Sequence, residues 1–506
     1  MSLPDWADPL FDADEMRAAD AWAIEQRGVP SLDLMERAGL GLARIAAEAA
    51  RPGPVRIVCG KGNNGGDGLV AARLLREDGH EVDVLSVAPL EDFQGDALVN
   101  LQRLPGEAPA AWTPHALDGS GVVIDALLGT GFAGVPREPV ASAIAAINAC
   151  DARVVACDIP SGVDAATGEV AGEAVRAAVT ATFHGPKLGL HVMPGAAHAG
   201  EVRVVEIGIP RGGPGAEGAG LITERALALV PPRRRHGTKF DSGAVVVAGG
   251  SAGLTGAPTL AALGAMRAGA GYVQVAVPAP AEAVLEVKLT EAMTRALPHE
   301  DGAHCPAGAA EVAAFAERAG SVVLGPGLGR SDAAAGFARE VARTVAVPLL
   351  IDADGLNAHA GALDALRERP GPTVLTPHAG ELGRLLGATS AEVGAQRLAC
   401  ARAAAEASGC IVVLKGDDTI VASPAGPAFV SPGASPALAT AGTGDVLSGV
   451  IAAYLAKGLG AVEAAAAGVL AHALAGREAA ARIGADHVIA GDVADCLSAA
   501  LSRLRR

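Results

Sequence analysis

The alternation of short, continuously apolar runs with helical spacing is what most limits the folds open to this chain. VRIVC (55–59), EVDVLSV (81–87), GVVIDAL (121–127) and RVVACDI (153–159) are apolar along most of their length, with helical patterns near 68–78, 95–104 and 138–149 between them. Strands buried on both faces need helices above and below, so this order predicts a parallel sheet in a three-layer α/β domain. ATFH and EVRVVEIGI extend the series. Two helical patterns between about 12 and 50, the second with a stripe at Leu34, Ala38, Leu42 and Ile45, supply packing helices. RGGPGAEGAG (211–220) is glycine-rich and almost without apolar side chains. After it the alternation resumes in GAVVVAGG (243–250), YVQVAVP (272–278), SVVLGPGLG (321–329), PLLIDADGL (348–356), TVLTPHAGE (373–381) and IVVLKG (411–416). The chain therefore reads as two α/β domains, 1–215 and 216–506, joined through that linker.

Charge narrows the class of partner. Half of the 506 residues are apolar, enough for a core in each domain, and the formal net charge is −16. Such a surface repels nucleic acid and anionic membrane, so an anionic ligand has to be held by local groups. Arg233, Arg234 and Arg235 form a compact basic run, read as a solvated linker end. The seven cysteines are scattered without CxxC pairs, the usage of reduced core residues in a cytoplasmic protein. MSLPDWADPLFDADEM lacks the basic and apolar regions of a signal peptide. Ser242 to Met266 is uncharged and long, but its glycines and Pro258 break it into strand, loop and helix, so no transmembrane helix is expected.

In open parallel sheets ligands collect at the carboxyl ends of strands, which makes the loops there the place to look for chemistry. VRIVC runs into GKGNNGGDG, whose Gly60, Gly62 and Gly65 match the G-x-G-x-x-G spacing of a dinucleotide-binding turn. Yet the next strand ends in SVAP without an acidic residue to hold a ribose, and Asn63, Asn64 and Asp67 exceed what a pyrophosphate cradle needs. That combination disfavours a dehydrogenase. Asp125 precedes GTGFAG, and Asp158 precedes Ile159, Pro160 and Ser161. Oxygens from Asn64, Asp125 and Ser161 suit a hard cation, while Asp158, with Lys187 of HGPKLGL, suits proton transfer. Each of these residues alone would also suit a turn or a helix cap; several such loops together favour a site.

LATAGTGDVLSGV (438–450) reads as a glycine turn opening a helix. Gly442 and Gly444 permit backbone angles that turn the N–H groups from Ala441 to Asp445 toward one point, an anion-binding nest. Asp445, in the first turn, is expected to be kept ionised by the helix dipole and to take a proton from a hydroxyl that meets a phosphate. Standing alone, a T-G-D before an apolar run would more simply be a helix cap.

In order and nearly end to end, GKGNNGGDG, VIDALLGTG, DIPSGVDAATG and FHGPKLG resemble the NAD(P)H-hydrate epimerase domain of the YjeF N-terminal family, which implies a Rossmann-like fold. GLTGAP (253–258), GPGLG (325–329), DADGLN (352–357), TPHAGE (376–381), KGDDT (415–419) and AGTGD (441–445) resemble its usual fusion partner, the ribokinase-like NAD(P)H-hydrate dehydratase. The resemblance runs from about residue 12 to the end. It implies a bifunctional repair enzyme. An isomerase interconverts the two epimers of hydrated NAD(P)H, and a lyase dehydrates the S epimer with ADP or ATP, releasing AMP or ADP and phosphate. Carried onto this sequence, the hydrate in the first domain contacts Asn63, Asn64, Gly65, Gly66 and Asp67, the loop Gly129, Thr130, Gly131, Phe132, Ala133, Gly134 and Val135, and the catalytic Asp158. Potassium falls to Asn64, Asp125 and Ser161. In the second domain the hydrate contacts Ala257, Gly327, His378 and the catalytic Asp445, and the nucleotide uses Lys415, Gly416, Asp417, Asp418, Thr419, Gly442, Thr443 and Gly444. Magnesium would accompany the nucleotide, with Glu381 reaching it through water, and analogy suggests a homo-oligomer. The competing reading is a vitamin or sugar kinase of the ribokinase superfamily fused to a ligand-binding Rossmann-like module. Those kinases typically carry Asn where this chain has His378.

Overall fold

The computed structural model describes residues 3–49 and 51–503. The first strand, β1 (Ala7–Pro9), is followed by β2 (Val55–Cys59), β3 (Val82–Ser86), β4 (Ala110–Ala111), β5 (Val122–Ala126), β6 (Arg153–Cys157), β7 (Val179–Phe183) and β8 (Glu201–Val205). β2 to β8 form a parallel sheet of seven strands in the order β4-β3-β2-β5-β6-β7-β8. Alternate side chains of its strands feed two cores, as a sheet covered on both faces requires. Ile57, Cys59, Ile124 and Ala126 pack with Leu42, Leu69 and Leu75 of the helices Ser31–Glu48 and Asn63–Glu77. Val58, Val123 and Leu127 pack on the other side with Ile144 and Ile147 of the helix Val140–Ala149. Each fully buried aliphatic side chain contributes roughly 1.5–3 kcal/mol relative to exposure, so the pattern along the strands dictates the layering.

The helix after β2 begins at Asn63, five residues before the position its apolar spacing predicts. GGDG reads as loop because glycine is a poor helix former, but here the glycines serve close packing. A Cβ on Gly65 would stand 1.8 Å from the Gly60 carbonyl oxygen, and one on Gly68 would stand 2.7 Å from Ala126 Cβ.

The second sheet uses β9 (Ala219–Ile222), β10 (Ala244–Ala248), β11 (Tyr272–Pro278), β12 (Met293–Leu297), β15 (Ser321–Leu324), β16 (Leu349–Ile351), β17 (Thr373–Leu375), β18 (Ile411–Leu414), β19 (Ile420–Ala422) and β20 (Ala428–Val430). A separate two-residue hairpin joins β13 (His299–Glu300) to β14 (Ala303–His304). With β1, the sheet has eleven strands in the order β1-β9-β20-β19-β18-β17-β16-β15-β10-β11-β12. Pairing is parallel from β12 through β18 and antiparallel from β18 to β20. The segment from Ser242 to Met266 becomes β10, a loop and the helix Gly256–Arg267. No helix among the described residues is long and apolar enough to cross a membrane.

By contacts the chain divides into two compact units, one holding Pro9–Gly220 and the other Pro4–Asp8 together with the residues from Leu221 onward. The short segment Pro4–Asp8 therefore belongs to the second unit. There the Trp6 ring lies 4.4 Å from that of Phe429, and the Trp6 carbonyl accepts from the N–H and Oγ1 of Thr223 at 3.1 and 2.8 Å.

Two candidate active sites

The first site forms where the carboxyl ends of β2, β5, β6 and β7 lie side by side, at the reversal of strand order next to β2. The loop after β2 lies directly against the loop after β5, since a Cβ on Gly60 would stand 2.1 Å from the Leu127 carbonyl oxygen. This contact lets Asn64 Nδ2 donate to the Leu128 carbonyl at 2.8 Å, turning its Oδ1 the other way. Asp125 is wholly buried. Its Oδ1 accepts from Ser161 Oγ at 2.6 Å and from the Leu127 N–H at 3.2 Å, and its Oδ2 from the Ser161 N–H at 2.8 Å. Burial pushes the Asp125 carboxyl up to about 6 against the pull of those hydrogen bonds.

Asp158 leaves β6 in a left-handed conformation, φ +64°, which a residue with a Cβ adopts only when its surroundings hold it there. Its Oδ1 accepts from Lys187 Nζ at 2.5 Å, the Phe183 N–H at 3.1 Å and Thr182 Oγ1 at 3.3 Å. Lys187 is fully buried and also donates to the Phe183 carbonyl at 2.7 Å. Two further carboxyls sense this pair. Asp67 is pushed well above the usual carboxylate range by burial and then by the charges of Asp158 and Asp20, which favours its proton-bearing form. Asp20, in the helix Ala13–Ala21, is raised to about 6 by burial, with Lys187 lowering it and Asp158 raising it. No motif marks Asp20 in the sequence; only the fold brings that helix to the site. Of the other expected substrate residues, Gly65 and Gly66 are packed underneath, whereas Asn63 and Gly131, Ala133, Gly134 and Val135 are exposed. Gly129, Thr130 and Phe132 are half-buried.

The second site gathers the loops after β10, β15, β16, β17 and β18, five neighbours in the parallel part of the sheet, against the helix Thr443–Ala456. Gly442 caps that helix with φ +92°. Of the five expected nest donors, Thr443 N–H bonds to the Thr440 carbonyl and Asp445 N–H to that of Gly442, at 3.3 and 3.1 Å. The N–H groups of Ala441, Gly442 and Gly444 bond to no other described residue, so the open part of the nest is narrower than the glycine pattern suggests. Thr443 Oγ1 turns back to the carbonyls of Leu438 and Thr440 at 2.8 and 2.9 Å.

The dipole does not decide the charge state of Asp445. Burial raises its carboxyl to about 7, Asp352 and Glu381 push the same way, and Lys415 opposes them. Lys415 Nζ sits 2.9 Å from Asp352 Oδ1 and 3.7 Å from Glu381 Oε2, so one ammonium serves several carboxylates. Asp352 Oδ2 accepts from Ser448 Oγ at 2.8 Å, which ties β16 to the helix bearing Asp445. A strand-end aspartate is equally at home in a turn; the partners of Asp352 from residues 415 and 448 are what place it in the site.

His378 caps the helix Ala379–Leu386: its Nδ1 accepts from the N–H groups of Gly380 and Glu381 at 3.0 and 3.4 Å, and Glu381 Oε2 accepts from the His378 N–H at 2.9 Å. An accepting Nδ1 means a neutral imidazole with its proton on Nε2, in keeping with a pKa lowered first by burial. Ala257 lies beside Gly327, since a Cβ on Gly327 would stand 3.4 Å from Ala257 Cβ. A cavity of about 520 Å³ opens next to the helix start. Its lining combines polar residues, among them Lys415, Asp417 and Thr419, with the apolar Leu438, Leu447 and Val469, and the backbone of Gly416 and Gly444, a mixture that suits a nucleotide. Asp418 is not among the lining residues; it is buried in an ion pair with Arg397 at 2.9 Å.

The family profile described as NAD(P)H-hydrate dehydratase matches residues 245–498, and that described as YjeF-related protein N-terminus matches residues 31–189. The bifunctional NAD(P)H-hydrate repair enzyme Nnr of Moorella thermoacetica is 41% identical, the alignment covering 98% of this chain and 97% of its own. That of Salinibacter ruber is 41% identical over 97% and 95%. The chain belongs to the bifunctional NAD(P)H-hydrate repair enzymes. Such an enzyme carries an epimerase domain and a dehydratase domain on one chain, and the reading as a kinase with a binding module is set aside. A crystal structure of the ADP/ATP-dependent NAD(P)H-hydrate dehydratase from Bacillus subtilis, co-crystallised with ATP and Mg²⁺, aligns with 56% of this chain and 96% of its own, at TM-score 0.48 and 27% identity.

Proposed function

We propose that in the dehydratase domain Asp445 takes the proton of the hydrate's ring hydroxyl while the freed oxygen attacks the terminal phosphorus of ADP or ATP. AMP or ADP leaves, and the ring carries a phosphate ester. Loss of that phosphate, with a proton from the adjacent ring carbon, restores the double bond, and the departing phosphate is basic enough to take the second proton. The observation that carries this reading is a carboxyl raised to about 7 beside open backbone amides at the edge of a nucleotide-sized cavity. Lys415 and the amides of Gly442 and Gly444 meet the phosphate, Thr419 and Gly416 the nucleotide, and Ala257, Gly327 and His378 the hydrate. His378 offers Nε2–H as a donor, its other nitrogen being used by the helix cap.

In the epimerase domain, inversion at the carbon bearing the hydroxyl needs one group to give a proton and one to take it. Asp158, aligned by Lys187, is assigned the proton transfer, and Asn63 to Asp67 with Gly129 to Val135 the ring and its ribose. Potassium fits the donor set around Asp125: a buried carboxylate with no cationic side chain bonded to it among the described residues, the Oδ1 of Asn64, and Ser161. The ion would supply the positive charge that keeps Asp125 ionised. Magnesium fits the second site only together with nucleotide phosphates. Among the described residues no group of three His, Cys, Asp or Glu could hold a metal, and Lys415 already occupies Asp352 and Glu381. We place the enzyme in the cytoplasm, as its scattered cysteines without CxxC pairs support, and by analogy as a homo-oligomer.

The test is incubation with mixed hydrate epimers and either nucleotide, following the return of nicotinamide absorbance. Recovery with neither nucleotide would overturn the assignment.

A further inference from the structure

Two arginines lie beside the residues assigned to the hydrate, and each is anchored by one nitrogen. Arg330 follows GPGLG directly, and its Nε donates to Asp354 Oδ1 at 3.0 Å. Arg384 lies in the helix that His378 caps, and its Nε donates to Asn357 Oδ1 at 2.8 Å. Asn357 Nδ2 closes the chain of bonds to Asp354 Oδ1 at 3.1 Å, and the Gly329 N–H holds Asp354 Oδ2 at 3.1 Å. The terminal nitrogens of both guanidinium groups bond to no other described residue. A guanidinium tethered at Nε keeps its paired Nη edge free, and that edge matches two oxygens of a phosphate.

The position of the Arg384 edge is set by its neighbours. A Cβ on Gly380 would stand 2.9 Å from His378 Cε1 and 3.9 Å from Arg384 Nη1, so the guanidinium lies over the same helix start as the imidazole. Arg330 is the residue after Gly329, on the Gly327 loop. Neither arginine lines the 520 Å³ cavity by Lys415, so the pair belongs to the other ligand. Two guanidinium charges face one carboxylate, a local positive surplus on a chain of net charge −16.

We infer that Arg330 and Arg384, held apart and aimed by Asp354 and Asn357, form the subsite for the phosphate groups of the hydrated dinucleotide. The inference rests on the assignment of the hydrate to Gly327 and His378. The network explains why Asp354 and Asn357 sit at this strand end without touching the nucleotide cavity: they are positioning residues for the two arginines.

Steady-state dehydration by the full chain tests it, using Arg330→Ala, Arg384→Ala, the double variant and Arg384→Lys with NADH hydrate and NADPH hydrate separately. Each alanine should raise KM for hydrate about 10-fold, the size of one lost charge-assisted bond pair, with kcat and the KM for ADP within about threefold of wild type. Arg384→Lys should recover part of the loss, since it keeps the charge without the two-toothed edge. Equal losses with both hydrates identify the shared pyrophosphate, and a loss confined to NADPH hydrate identifies the ribose phosphate. An unchanged KM in the double variant overturns the subsite. So does a fall in kcat with a rise in the KM for ADP and a lower melting temperature, which would show that the arginines only brace the loops. Wild-type protein that converts neither hydrate would instead overturn the underlying function, leaving no ambiguity between the two failures.

Discussion

Asp445 illustrates how one carboxyl's surroundings set both chemistry and stability. A base raised to about 7 is half ionised near neutrality, so dehydration should gain activity as pH rises through about 7 and level off above it. Asp445→Asn should cost about 10²- to 10⁴-fold in dehydration while epimerisation stays intact. The same substitution should stabilise the protein. A carboxyl raised on folding contributes stability that is complete below its unfolded value, near 3.8, and is lost as pH climbs through 7. The amide avoids that loss, so the variant should be more stable by about 1–3 kcal/mol at pH 8 and equal to wild type at pH 3, as denaturant titration at the two pH values would read. A variant with full dehydration activity would remove Asp445 from the mechanism.

The helix Ala379–Leu386 puts two duties on one side chain: His378 satisfies the first amides of the helix through Nδ1, and its Nε2, 3.6 Å from Glu381 Oε1, is the nitrogen proposed to meet the hydrate. Asparagine is among the best capping residues, so His378→Asn should keep the helix start and the melting temperature while raising KM for hydrate several-fold. His378→Ala should do both kinds of damage, losing about 1 kcal/mol of cap as well. Equal melting temperatures for the alanine variant and wild type would show that the cap is dispensable. In the first unit the helix Asn63–Glu77 can start where it does only because Gly65 has no Cβ to meet the Gly60 carbonyl, at 1.8 Å. Gly65→Ala should therefore abolish epimerisation by displacing Asn64 and Asp67 together, and should leave dehydration of pure S epimer unchanged. Retained epimerase activity would mean that the loop can open without cost.

At the scale of the whole molecule, the two activities explain each other. If the dehydratase accepts only the S epimer, Asp158→Ala should convert a mixed substrate in a fast phase of normal rate but reduced amplitude, followed by a slow phase set by uncatalysed exchange. A single fast phase that consumes both epimers would show either that the second domain is not stereospecific or that Asp158 is not catalytic; direct exchange measurements without nucleotide separate the two. The chain start adds a structural expectation. Trp6 is buried in the second unit against Phe429, so Trp6→Ala should cost about 3–5 kcal/mol of that unit's stability and leave the epimerase rate at 25 °C unchanged.

Much of this architecture is legible along the chain because burial on both faces is a local demand. VRIVC, GVVIDAL, RVVACDI and YVQVAVP must be strands between helices wherever they end up, and the polar loops that follow them must then crowd at the same edge of a sheet. The strands β1, β9, β19 and β20 escape such a reading, since segments of three or four residues carry little periodicity, and β1, at the edge of its sheet, and β9 pair across long sequence separations. The same holds for Asp418, whose motif gives no hint that Arg397 turns it inward. Proton occupancy is the property furthest from the sequence. Residue type and position in a helix predict an ionised Asp445, but its charge is decided by desolvation and by Asp352, Glu381 and Lys415, gathered from three other strand ends. Desolvation and Coulomb interaction depend on distance in space, which the order of residues does not contain until the sheet has brought them together.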